Sequence, residues 1–183
     1  MKKSGAIELS IGTIVIIVLA MSMLILGIVL VKNIFSGSVD IADMTIDQIK
    51  NQVSKMFGDD KRLVIYPDTR LIEIKGGKVG GFGIGIKNLL QGNSAVTSFT
   101  YEVLVSDTDI QKKCGFSEQQ ALNWMVTGRT EKLEIAPGES EAGKVLIEIP
   151  DGTNLCTFRY RVNVKQADGK IYDSDFVDVT IKA

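Results

Sequence analysis

The hydrophobic pattern of this chain changes period twice. From Leu9 to Val31 there is no formal charge over 23 residues, and Ile11 to Val31 reads IGTIVIIVLAMSMLILGIVLV. As a helix this stretch rises about 34 Å, enough to cross the hydrocarbon core of a bilayer. The pattern predicts a transmembrane helix over 11–31. A cleaved secretory signal is the competing reading, but its apolar region is roughly 7–15 residues long and ends at a small-residue cleavage site. Here the run is longer and passes into Val31-Lys32-Asn33-Ile34-Phe35.

After Ser36-Gly37-Ser38 the period becomes that of an amphipathic helix. Phe35, Val39, Ala42, Ile46, Ile49, Val53 and Met56 recur at alternating spacings of four and three, while Asp40, Asp43, Asp47, Lys50 and Lys55 fall off that stripe. This predicts a helical extension of the span over 32–57, with a kink or flexible point at Gly37 and a stop at Gly58-Asp59-Asp60. The stripe needs a cover, either the chain's own β-domain or the helices of other subunits.

From Arg62 onward the period is two. Strands are expected near Arg62–Tyr66, Arg70–Lys75, Val79–Asn88, Thr97–Ser106, Glu131–Ala136, Gly143–Ile149, Leu155–Gln166 and Lys170–Lys182. Turn chemistry separates them at Pro67-Asp68, Gly76-Gly77, Pro137-Gly138, Pro150-Asp151-Gly152 and Asp168-Gly169. Strands at this spacing without intervening helices indicate an antiparallel sandwich of immunoglobulin-like type. In the last hairpin, Phe158, Tyr160, Val162 and Val164 alternate with Arg159, Arg161, Asn163 and Lys165, so one face is buried and the other wet. The return strand buries Val177, Val179 and Ile181, and a bulge near Asp175-Phe176 is expected to keep Asp173 and Asp175 out of the core.

The insert over 108–129 breaks the pattern. Phe116 to Met125 reads as a short helix with Ser117 as N-cap and Gln120 closing a capping box. It carries the one tryptophan, Trp124, which either anchors the insert on the sandwich or serves surface recognition. Cys114 and Cys156 lie in the outer part. If paired they close a loop of about 43 residues, worth roughly 4 kcal/mol in the chain-entropy model; the alternative is two unrelated buried thiols.

The fold class that follows is α+β: a long N-terminal transmembrane and amphipathic helix, then an all-β sandwich over 62–183. Lys2 and Lys3 before the span, against Asp40, Asp43 and Asp47 after it, put residues 1–10 inside and the sandwich outside.

Composition narrows the chemistry. There is no histidine among 183 residues, which removes the usual general base and zinc ligand, and leaves an enzyme role without an activated nucleophile. A net charge of −1 gathers no nucleic acid. The run Gly76-Gly77-Lys78-Val79-Gly80-Gly81-Phe82-Gly83-Ile84-Gly85 matches neither the dinucleotide fingerprint nor the P-loop, because Ile86-Lys87-Asn88 continues a strand. Close backbone approach or a bent strand accounts for it better. Asp107-Thr108-Asp109 and Asp59-Asp60 are oxygen-rich, yet they read as solvated turns without EF-hand spacing, so no metal or other cofactor is expected.

The Lys2-Lys3 leader, Ser4-Gly5-Ala6-Ile7-Glu8 and the unbroken apolar helix resemble the class III signal and first helix of archaeal type IV pilins, and Ile11 to Val15 with Ala20-Met21 is similar to the archaellins. The resemblance covers about the first 30 residues. It implies removal of the leader by a membrane peptidase and packing of the helices into a filament core. A cut between Lys3 and Ser4 puts Glu8 at the fifth mature position, where many pilins carry a glutamate that pairs with a neighbour's free amine; a cut after Gly5 puts it at the third. Glu8 otherwise reads as a helix-end carboxylate in the head-group layer. The expected function is therefore a filament subunit, with membrane lipid and copies of itself as partners and an unspecified ligand outside. The alternative is an uncleaved single-pass anchor bearing a binding or adhesion module.

Overall fold

The computed structural model describes residues 11–35, 41–90 and 95–183, and it separates into an N-terminal helix and a sandwich unit. The helix, α1 (Ile11–Phe35), is continuous over 25 residues, about 37 Å. Gly37, Val39 and the expected kink lie outside the described residues.

The first described residues of the sandwich unit form a turn at Ile41–Asp43, followed by a new helix, α2 (Ile46–Met56). The continuous extension expected over 32–57 is thus corrected to a helix that starts at Ile46. The cause is local. Thr45 sits in the extended region, its hydroxyl accepts from the Gln48 amide, and the Gln48 side chain accepts from the Thr45 amide, a reciprocal cap that begins a helix rather than continuing one.

Among the described residues nine strands follow: β1 (Leu63–Tyr66), β2 (Leu71–Lys75), β3 (Val79–Lys87), β4 (Thr97–Val105), β5 (Met125–Thr127), β6 (Thr130–Ile135), β7 (Ser140–Glu148), β8 (Thr157–Gln166) and β9 (Ile171–Lys182). They form two sheets, β1-β3-β7-β5 (sheet I) and β2-β9-β8-β4-β6 (sheet II). All pairings are antiparallel except β2 on β9, which is parallel. The expected α+β class, an apolar helix followed by a β-sandwich, is the observed one. Between the sheets the core is closed by Phe82, Phe99, Tyr101, Phe158 and Tyr160, each essentially inaccessible.

Two details differ from expectation. β5 adds a strand to sheet I inside the insert; three residues offer no period to read. The irregularity in β9 falls at Tyr172, where the register jumps from Val164↔Asp173 to Lys165↔Ile171, and not at Asp175-Phe176. Asp175 stays in register opposite Val162 and is satisfied instead by Arg70 at 2.9 Å, while Phe176 remains on the outer face.

Candidate functional site: an apolar helix and an open sheet face

Over Gly12–Val29, α1 presents its whole circumference to the surroundings. The window Gly12–Val29 is long and apolar enough to cross a membrane, and none of it is buried within the chain. Apolar area of this extent is unfavourable in water by about 25 cal/mol per Å². Lys3, Ser4, Gly5 and Glu8, to which the pilin resemblance assigns processing and assembly, lie outside the described residues, as does Val39; Phe35 closes α1.

The remaining stripe residues have a different fate. Ile49 and Val53 are fully buried against the outer face of sheet I, with Val64, Ala142 and Ile41, and Met56 packs at the margin of this cluster. Ile46 is 46% exposed. The glycine-rich segment supplies the seat: a Cβ on Gly83 would fall 2.5 Å from Ile49 Cγ2, and one on Gly85 2.8 Å from Val53 Cβ. Close backbone approach therefore accounts for Gly83 and Gly85, and the pairing of β3 with β7 is unbroken through them. Polar ties finish the attachment. Lys144 Nζ donates to the carbonyls of Ala42 and Met44 at 2.8 and 2.7 Å, and Lys50 meets Glu141 at 2.7 Å. Of the two covers considered for the stripe, the chain's own domain is the one present over Ile49 and Val53.

The insert consists of α3 (Ile110–Cys114), α4 (Glu118–Asn123) and β5. Ser117 caps α4 and Gln120 closes the capping box, as its sequence indicated. Trp124 is half-buried and packs on Phe116 (4.6 Å between centroids) and Phe158 (6.1 Å), so it tacks the insert to the core. A disulfide joins Cys114 to Cys156, tying α3 to the start of β8.

Two buried hydroxyls carry the largest shifts among the described residues. Burial pushes the Tyr101 phenol far above its ordinary range, aided by its hydrogen bond to Glu131 Oε2 at 2.7 Å. Burial alone does the same to Tyr160, whose hydroxyl donates to the Ala121 carbonyl at 2.7 Å. Both act as struts. Asp107, one of the oxygen-rich candidates, accepts from the Arg159 amide at 3.2 Å and faces Lys113 at 3.5 Å. Asp59 and Asp60 line an open hollow of about 430 Å³ together with Arg62, Asn88 and Gly138. No cluster of three or more metal-ligating side chains occurs among the described residues.

On the outer face of sheet II, Arg159 lies 4.0 Å over the Phe176 ring and forks onto Asp178, at 2.7 and 2.9 Å. Arg70 flanks the same ring at 5.7 Å. Beside this cluster a second open hollow of about 300 Å³ is lined by Leu104, Val105, Ser106, Arg161 and Asn163. The alternation along β8 marks this face only as wet. Which of the outward residues lack partners depends on the strands laid alongside and leaves no local signal.

No protein-family model matches the chain, and no curated protein does. Among solved structures it is similar to the CARDB domain of a Pyrococcus furiosus protein in complex with di-metal ions, with 12% identity over 65% of this chain and 91% of that one and a TM-score of 0.40. It is also similar to the GspB Siglec domain, with 18% identity, 68% and 59% coverage and 0.40. The Escherichia coli chaperone DraB gives 14% identity, 66% and 54% coverage and 0.37. At such identities and scores these likenesses carry nothing about ligands or activity.

Proposed function

We propose that this chain is a single-pass membrane protein whose α1 anchors a β-sandwich module on the outer side of the membrane. One observation carries the reading: an apolar helix of 25 residues, bare over Gly12–Val29, precedes a sandwich unit that already has a complete core of its own. The module needs nothing from α1 to bury its interior, so α1 is free to meet lipid. Lys2 and Lys3 before the span and the acidic run after it favour the N-terminus inside. No catalytic role is proposed for the module.

A second reading is the pilus-like filament subunit, supported by the resemblance at Lys3, Ser4, Gly5 and Glu8 and by an α1 surface that suits bundling with its copies. In that reading the bundling length shrinks to α1, because Ile49 and Val53 are already occupied by the chain's own sheet.

Mass spectrometry of the N-terminus of the native protein tests both. The anchor reading expects the initiator end of the chain. A new terminus at Ser4 or Ala6, recovered from fibres, transfers the conclusion to the filament; a terminus beyond residue 31 refutes both, since α1 is then a discarded signal.

A further inference from the structure

The outer face of β8 bears three cations, and two of them are paired across the sheet. Arg159 forks onto Asp178 on β9, and Lys165 reaches Glu102 on β4 at 3.1 Å. Arg161 stands between them with Leu104 on one side and Phe176 on the other, two apolar neighbours where its companions have carboxylates. Among the described residues its side chain makes no hydrogen bond or ion pair. An unpaired guanidinium flanked by hydrocarbon does little for the sheet itself, because the cross-strand pairs that stabilise a sheet are matched in charge or in apolarity.

The hollow beside Arg161 shares this one-sidedness. Its polar side chains are Arg161, Asn163 and Ser106, and no carboxylate lines it. Asn163 Oδ1 accepts from Ser174 Oγ at 2.8 Å, which leaves the Nδ2 end of the amide as the free donor. The Ser106 hydroxyl is likewise unpartnered among the described residues. Leu104 adds apolar surface. The lining therefore offers donors and hydrocarbon, with a fixed positive charge at one side.

We propose that this hollow binds a carboxylated sugar unit of an acidic polysaccharide. A guanidinium matches a planar carboxylate with two parallel N–H···O bonds, which a point charge does not do. Sugar hydroxyls accept from Asn163 Nδ2 and Ser106 Oγ, and the C–H face of the ring lies on Leu104. About 300 Å³ is the small end of ligand sites, room for one ring, and the hollow is open to solvent, as a unit within a polymer requires. The proposal holds whether the chain is a lone anchor or a filament subunit.

The test is calorimetric titration of the full-length protein in non-ionic detergent with a galacturonate oligomer. A neutral galactose oligomer and a glutamate-rich peptide of equal charge serve as comparators. The galacturonate oligomer is expected to bind, Arg161→Gln to weaken it about tenfold or more, and Arg161→Lys to recover only part of that. Lys165→Gln, which alters a cation already paired, should change affinity by less than about twofold. The proposal is overturned by no binding to the native chain, by equal binding of the neutral oligomer, or by unchanged affinity in Arg161→Gln. Equal or tighter binding of the peptide also overturns it, in favour of an acidic protein segment.

Discussion

Replacing Ile49 by alanine is the most informative single perturbation of this molecule, because it separates a helix that belongs to the sandwich from one held for other subunits. Ile49 has no accessible surface and rests on Gly83 of β3. Truncating a fully buried isoleucine removes about 2–5 kcal/mol, the upper part applying where neighbours fail to collapse into the gap. The seat here is a strand whose glycine has no side chain to move in, so collapse is limited and a loss of about 3–4 kcal/mol is expected. α2 has only 11 residues, too few to persist alone in water. Its Lys50–Glu141 pair is roughly 40% exposed on both sides and supplies at most about 1 kcal/mol. The loss should therefore be felt first as release of α2. For a unit of this size about 1 kcal/mol corresponds to roughly 3–4 °C, so the thermal midpoint should fall by about 10 °C or more. Hydrogen exchange of the full-length chain in detergent should quicken across Ile46–Met56 ahead of the strands. Trp124 fluorescence follows the sandwich, since that ring packs on Phe158. Ile46→Ala, at an exposed position of the same helix, is the control and should shift the midpoint by under 2 °C or so. An unchanged midpoint and unchanged exchange in Ile49→Ala would refute the packing described for α2.

Three further outcomes follow from the same geometry. Gly85→Ala places a Cβ 2.8 Å from both Val53 Cβ and Val64 Cγ2 and should cost about 1–3 kcal/mol in chemical denaturation; wild-type stability would mean that α2 sits farther from β3. Cys114→Ala with Cys156→Ala opens a loop with a sequence separation of 42 and should lower stability by about 2–5 kcal/mol, with faster exchange concentrated in Ile110–Trp124. In alkali, Tyr101 and Tyr160 hold their protons in the folded state above the ordinary value of 10.0 while the unfolded chain releases them there. Their contribution is complete below pH 10 and is lost as pH rises further, at about 1.4 kcal/mol per pH unit for each ring. Unfolding followed by phenolate absorbance should release both together, and a gradual titration of either ring in the intact fold contradicts this.

Local signals carried much of the fold. Eight of the strands lie where alternation and turn residues put them, and Ser117 with Gln120 announced α4 by its cap. Where a tertiary partner decides, the pattern was silent. The 4-3 stripe from Phe35 to Met56 spans the point where Thr45 begins a new helix, because spacing records which residues face one way and not whether the backbone between them is continuous. Asp175 looked misplaced on an inward register until Arg70, more than a hundred positions earlier, supplied its partner. The glycines of β3 were recognisable as a close approach, yet nothing local said that α2 is what approaches. Arg161 is the same case on the outer face: its isolation is a property of Leu104 and Phe176 beside it, not of the β8 sequence.

The anchor is tested most directly by phase partition with a cloud-point detergent, comparing the native protein with a chain that starts at Ile41. The native protein should enter the detergent phase and stay with the membrane pellet after an alkaline wash, while the shortened chain should remain folded and monomeric in plain buffer. A native protein that is itself a stable monomer without detergent would contradict the account, since the apolar surface of Gly12–Val29 would then be covered by the molecule's own interior.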